Sequence, residues 1–167
     1  GYTAWRAALL TIGYAVFIIG LIRFGEKLLR RFGPRKPMIW GTLIVALSAL
    51  LLVPTHLLVG QYQVLAIVSY CLFGIGLAFY ATPSTDAALS NLPADQTGAG
   101  SGIYKMASSL GSAIGAAVSL TIFSTLSESG VGWIGRVLAT QGTVENEAVR
   151  QAGSATFLFN LVITLVA

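Results

Sequence analysis

Two charged residues, Asp86 and Lys105, lie in stretches of this 167-residue chain that are otherwise rich in small and apolar residues. If these stretches form an antiparallel helical hairpin, Asp86 lies about 12 Å and Lys105 about 16 Å from the middle of the turn. Charges near hydrocarbon are costly and usually pair or line a wet path. We therefore interpret them as a candidate ion pair, structural or gating. A direct role of Asp86 in proton coupling or substrate binding, and snorkelling to the interface, remain alternatives.

Small and hydroxyl-bearing residues recur every three or four positions around Lys105, so they share one helix face. This small-residue stripe comprises Ser101, Lys105, Ser108, Ser112, Gly115 and Ser119. Glycines four residues apart let helices approach closely, so ordinary helix packing explains the glycines but not Lys105. The stripe predicts a helix that is buried in a bundle or lines a cavity.

Aromatic residues on neighbouring stretches could line an apolar cavity, although each taken alone is more typical of a packing residue. Aromatic faces suit planar cationic molecules through stacking and cation–π contact. These aromatic residues are Tyr14, Phe17, Phe79, Tyr80 and Tyr104. The predicted substrate-cavity residues are Tyr14, Phe17, Tyr80, Tyr104, Ser108 and Ser112.

The elements that would position these residues are membrane spans. The chain is 55% hydrophobic and only 10% charged, whereas soluble domains carry roughly 25% charged residues. Apolar runs of about 20 residues predict an all-α membrane protein with five transmembrane helices. The predicted spans are 5–24, 38–54, 64–89, 98–126 and 153–167, with inner turns at 25–37 and 91–97 and outer loops at 55–63 and 127–150.

The segment from Arg23 to Pro37 orients this arrangement. It holds six of the ten Lys and Arg residues between two apolar runs, and the positive-inside rule places such a turn in the cytoplasm. We expect it to contact anionic lipid headgroups. Nucleic acid is excluded as a partner, because the charge is concentrated in one inter-helix turn.

Signals of an enzyme are absent from the sequence. The chain has one histidine, His56, interpreted as a solvated loop residue, and one cysteine, Cys71, interpreted as a buried helix residue. No metal-ligand cluster appears. The run from Gly98 to Gly102 mimics a phosphate loop, but it follows a polar turn and not a strand. No catalytic residue, cofactor or metal ligand is therefore predicted.

The stretch AFYATPSTDAALSNLPADQTGAGSGIYKMASSLGSAIG, residues 78–115, resembles 14-span drug:proton antiporters of the major facilitator superfamily. The segments GYTAWRA and RFGEKLLRRFGPRKPM resemble the quinolone efflux branch, of NorB/NorC type with NorC the nearer. The resemblance implies the last five spans of a carboxy-terminal six-helix half. It places spans one, three and four at the central cavity and spans two and five outside. The chain begins without Met and stops in an apolar run, so we expect an amino-terminal half to be missing.

One family feature is changed. The turn after the second helix of a half often reads G-x-L-x-D-R-x-G, and here Glu26 replaces the first glycine and Arg30 the aspartate. The latch role ascribed to that aspartate does not carry over. The family's proton-coupling acids belong to the missing half.

The resemblance implies a proton-coupled multidrug efflux antiporter that works by alternating access, with a proton as coupling ion. Its substrates would be hydrophobic or cationic drugs, among them fluoroquinolones, dyes and biocides. Two alternatives remain: a porter for a sugar or metabolite, and a non-transporting membrane scaffold. Sites for sugars need more Asn, Gln and charged residues at mid-membrane than spans one and four offer.

Overall fold

A computed structural model describes residues 4–54, 59–129 and 147–166, all of whose regular elements are helices. The five helices are α1 (Ala4–Phe32), α2 (Arg35–Leu52), α3 (Val59–Leu89), α4 (Thr97–Ser129) and α5 (Glu147–Val166). His56 and most of the outer loop at 127–150 lie outside the described residues. The all-α membrane fold predicted from the sequence is confirmed.

Membrane-length helices dominate the described part of the chain. Four helical segments are long and apolar enough to cross a bilayer: Arg35–Leu52, Gln61–Leu89, Thr97–Glu128 and Glu147–Val166. Helix α1 is not among these segments, which lie within the part of the chain whose side chains the structure describes. The predicted span 5–24 within α1 remains a prediction.

The basic segment is mostly helical and not a loop. Helix α1 continues to Phe32, because the residues from Glu26 to Arg31 include no helix breaker. It ends at Gly33, which has a φ of 71°, a left-handed conformation that glycine adopts without steric cost. The Gly33 amide donates to the Leu29 carbonyl at 2.9 Å. Helix α2 then begins at Arg35, so the connection between the two helices is only two residues long.

Helices α2 and α3 meet along a seam of small residues. A Cβ placed on Gly76 would lie 2.8 Å from the Gly41 carbonyl oxygen, and one placed on Gly41 would lie 2.6 Å from the Gly76 carbonyl oxygen. Further toward the side of the bundle that the sequence predicts to be the outer one, the buried hydroxyls of Ser48 and Ser69 each donate to the other residue's carbonyl, at 2.9 and 2.8 Å. Close backbone approach and shared hydrogen bonds therefore hold this pair of helices together.

We expect Ser48→Ala and Ser69→Ala each to lower the free energy of unfolding by about 1 kcal/mol. Each change removes one donor and leaves the partner's carbonyl with one bond fewer. The loss in the double variant is expected to be smaller than the sum of the single losses, because the two hydroxyls also lie 3.0 Å apart and either change removes that contact. Unfolding of the full-length protein in mixed micelles, followed by circular dichroism, measures these differences. Ser112→Ala is the control, since that hydroxyl bonds within its own helix.

Helix α3 is central among the first three helices, with α1 on one side and α2 on the other. Helix α2 also contacts α5, which in turn packs on α4. At the outer end the Ser154 hydroxyl of α5 donates to the Val53 carbonyl at 2.6 Å. Helix α4 touches α3 only sparsely, and none of its described residues is buried within this chain. The main contacts thus place the helices in the order α1, α3, α2, α5, α4.

Candidate functional site in the inner hairpin

The inner hairpin of α3 and α4 carries the residues with the most distinctive chemistry. Helix α3 runs through the fully buried Pro83 without a break and ends at Leu89. The Ser90 amide donates to the Asp86 carbonyl at 2.8 Å, and the Gln96 amide donates to the Pro93 carbonyl at 2.9 Å. These bonds close the short turn, and they bring the polar last turns of α3 beside the first turns of α4.

One side-chain hydrogen bond joins the two helices near this turn. The hydroxyls of Ser84 and Tyr104 lie 2.9 Å apart, and both residues are partly buried. Two hydroxyls in contact keep one donor and further acceptor capacity for a third group. The pair can therefore bind a polar group of a bound molecule or an ordered water molecule at the inner end of the bundle.

Asp86 and Lys105 are not brought together. Both are exposed in this chain, and no ion pair joins these two described residues, whereas Arg30 pairs with Glu26 at 2.7 Å. Asp86 follows Ser84 by two residues and so lies about 200° around α3 from the residue that contacts α4. The two charges match in depth but not in direction. A gating role of Asp86 with a group elsewhere in the protein remains a prediction.

Tyr14 and Phe17 lie where α1 packs on α3. The rings of Tyr14 and Phe73 are 5.7 Å apart at an angle of 44°. A Cβ on Gly74 would lie 2.6 Å from the Tyr14 carbonyl oxygen and 3.1 Å from Phe17 Cβ. Phe79 also faces α1, stacked at 6.0 Å on Phe24. These aromatic residues form an interhelical contact along one side of α3.

Tyr80 lies on another side of α3, toward α2. It lines a groove of about 760 Å³ between α2, α3 and the inner end of α5. Its other lining residues include Met38, Thr42, Leu77 and Ile163, so the wall is mainly apolar. This volume falls in the range of roughly 300–1,000 Å³ that is usual for small-molecule sites. The aromatic candidates therefore do not line one common cavity within this chain.

The small-residue stripe of α4 has two environments. At its outer end the Ser119 hydroxyl donates to the Asn160 side-chain oxygen of α5 at 2.9 Å, so there the stripe packs against a helix. Toward the inner end Lys105, Ser108 and Ser112 are exposed in this chain. The Ser112 hydroxyl donates to the Ser109 carbonyl of its own helix at 2.9 Å. The inner part of the stripe is thus the part that could face a cavity.

Sequence reasoning missed the two residues that anchor α4. These residues are Ser84 of α3 and Asn160 of α5. A lone Asn in the apolar run FLFNLVITLVA is a recognisable signal, because an amide at membrane depth usually bonds to a neighbouring helix. Its partner Ser119 belongs to the small-residue stripe, so the sequence carries a signal for both members of the pair.

We expect Tyr104→Phe and Ser84→Ala to weaken the inner hairpin by about 1 kcal/mol each, because each removes one side of the same hydrogen bond. The free energy of unfolding of the double variant should lie within a few tenths of a kcal/mol of that of the less stable single variant. Denaturant unfolding of the full-length protein measures the effect. Additive losses would mean that the two hydroxyls do not bond to each other.

These membrane helices with their polar inner hairpin match a known protein family. The profile of the Major Facilitator Superfamily matches residues 1–116, which is most of the chain. The chain belongs to the Major Facilitator Superfamily.

Several curated relatives share the name quinolone resistance protein NorB. One from Staphylococcus aureus strain MRSA252 is 44% identical over 127 residues, covering 76% of this chain and 27% of the relative. One from the bovine strain RF122 is 38% identical over 166 residues, covering 99% of this chain and 34% of the relative. The chain therefore spans about a third of the length of these relatives. The quinolone efflux branch predicted from the sequence is confirmed, and the preference for the NorC type remains a prediction.

Proposed function

We propose that this chain is the carboxy-terminal part of a multidrug efflux transporter that exports quinolones and other hydrophobic or cationic compounds. The observation that carries the proposal is 38% identity to a quinolone resistance protein across 99% of the chain. The apolar groove beside Tyr80 and the hydroxyl pair of Ser84 and Tyr104 are compatible with substrates that are mainly apolar and carry a few polar groups.

The transporter would reside in the plasma membrane, with the segment 25–37 on the cytoplasmic side. Export would be coupled to inward proton flow, and the two halves of the protein would alternate access to a site near mid-membrane. The proton-coupling residues would lie in the amino-terminal half. Lys105 and Asp86 would act at the inner end of the cavity, where the exposed side chains can meet groups of that half.

The test uses inverted membrane vesicles from an efflux-deficient host that expresses the full-length polypeptide. We expect a fluoroquinolone and a cationic dye to accumulate in the vesicles when an inward-acidic pH gradient is imposed. Collapse of the gradient with a protonophore should abolish accumulation. Transport of a sugar but not of either drug would instead favour a metabolite porter, and no transport of any compound at normal expression would favour a scaffold.

A further inference from the structure

The inner ends of α1 and α2 form a cluster in which two cations surround one aromatic ring. Arg31 Cζ lies 5.3 Å and Lys36 Nζ 5.6 Å from the ring centroid of Phe32. The Phe32 ring also meets Trp40 edge-on, at 5.4 Å and 68°. Cation–π contacts orient long side chains that would otherwise move freely. The four residues are defined here as the basic aromatic cluster.

No carboxylate neutralises this cluster within the described part of the chain. The nearby Glu26 bonds to Arg30 at 2.7 Å, which leaves Arg31 and Lys36 as exposed positive charges. Phe32 and Trp40 are themselves 38% and 41% exposed. Two oriented cations that share one ring, beside an interfacial tryptophan, are complementary to a phosphate group at the membrane surface.

An apolar stripe continues from the cluster along the same face of α2. Lys36, Trp40, Leu43 and Leu47 follow at spacings of four, three and four residues, which places them on one side of the helix. Leu43 and Leu47 are 54% and 48% exposed, whereas Gly41 and Ser48, which face α3, are buried. The stripe therefore faces away from α3, and Leu43, at its edge, also borders the groove between α2 and the inner end of α5.

The length of this stripe matches one leaflet. Leu47 lies eleven positions after Lys36, which is a rise of about 16 Å along α2, and half of a hydrocarbon core of about 30 Å is about 15 Å. We propose that the basic aromatic cluster and the stripe form a binding site for one anionic phospholipid of the inner leaflet. The phosphate contacts Arg31 and Lys36, and an acyl chain lies along Leu43 and Leu47.

Charge selects the lipid over other occupants. A cationic drug would be repelled by Arg31 and Lys36. A second copy of this chain, packed face to face in the same membrane, would bring the same two cations against these two. The inference uses the membrane orientation proposed above but not drug export, so a protein without transport activity could still have the site.

The test is a titration of the detergent-purified full-length protein with phosphatidylglycerol, with phosphatidylcholine as reference, read by native mass spectrometry. We expect Arg31→Gln with Lys36→Gln to weaken binding of phosphatidylglycerol about tenfold. The matched control, Arg23→Gln with Lys27→Gln, removes the same charge from the same segment and should change binding less than twofold. Phosphatidylcholine should bind equally to all three proteins.

A second variant separates a built site from general surface charge. Phe32→Leu keeps every charge but removes the ring that orients the cations, and we expect it to weaken binding of phosphatidylglycerol about threefold. Its circular dichroism and elution volume should match those of the wild type. Equal losses in both double variants, unchanged binding in Phe32→Leu, or no preference for phosphatidylglycerol over phosphatidylcholine would each overturn the proposal.

Discussion

Gly76→Ala is expected to lower the free energy of unfolding by about 2 kcal/mol, whereas Gly20→Ala should leave it unchanged or raise it by up to about 1 kcal/mol. The same methyl group is added to a helix in both variants. At Gly76 it would lie 2.8 Å from the Gly41 carbonyl oxygen and 3.0 Å from the Val45 amide nitrogen. At Gly20 no heavy atom lies within 4 Å.

The sign differs because two of the three nearest atoms that a Cβ at Gly76 would meet are backbone atoms, the third being Val45 Cγ2 at 2.8 Å. A flexible side chain could turn aside, but a carbonyl held in a helix moves only if the helix moves. Gly41→Ala should behave in the same way, since its Cβ would lie 2.6 Å from the Gly76 carbonyl oxygen. Exposed helical glycine, in contrast, gains from alanine because the unfolded chain loses freedom.

Unfolding by SDS of the full-length protein in mixed micelles, followed by circular dichroism, measures these differences. Expression in the membrane fraction gives a second reading, and Gly76→Val should reduce it further than Gly76→Ala. If Gly76→Ala were as stable as the wild type, α2 and α3 would be farther apart than the structure has them. A loss of stability in Gly20→Ala would point to a helix packed against that face of α1.

Asp86→Asn is expected to reduce drug transport about tenfold while expression and unfolding stay near wild type. Asp86 is exposed and makes no ion pair with Lys105, so the stability of this chain does not depend on its charge. A carboxylate at the inner end of the bundle can instead act during transport, through a group in the other half or through a proton. Uptake of dye into inverted vesicles, normalised to protein amount, is the measurement.

The structure also predicts the outcome of exchanging the charges of Asp86 and Lys105. If Asp86 and Lys105 acted as a pair, Asp86→Lys combined with Lys105→Asp would restore transport. Because Asp86 lies about 200° around α3 from Ser84, the residue that contacts α4, we expect the exchange not to rescue transport.

Asp95, an exposed acid in the adjoining turn, provides the control for Asp86→Asn: Asp95→Asn should leave transport within about twofold of the wild type. Full activity in Asp86→Asn would remove the proposed role.

Helix class and membrane character could be predicted from the sequence because they depend on composition and run length. The low fraction of charged residues and the length of the apolar runs indicate that the helices are surrounded by lipid and not by water, and no contact has to be known for this prediction. Gly33 and Pro34 indicate where the first helix stops, but the basic residues before them read as a loop although Glu26, Lys27 and Leu28 are good helix formers. Only Gly33, with its left-handed backbone, ends the helix.

For the candidate site, the position of a residue along its helix can be predicted from the sequence, but the side of the helix that faces a neighbour cannot. The sequence predicts how deep Asp86 and Lys105 lie, because rise per residue is constant. It does not predict which side of α3 faces α4, since that depends on packing along the whole helix. The bond between Ser84 and Tyr104 reveals this direction. For the same reason Tyr14 and Tyr80, both aromatic and both expected at the cavity, lie on different sides of α3.

The glycine seam between α2 and α3 also limits which substitutions the sequence of this chain can accept. A larger residue at position 76 would meet the main-chain oxygen of position 41, which every amino acid has. A second substitution at position 41 therefore cannot make room for the first, and the converse holds as well. Second-site suppressors of a change at either glycine should arise where they let a whole helix shift, and not at the partner position. The two positions are therefore constrained separately, each by the main chain of the other helix.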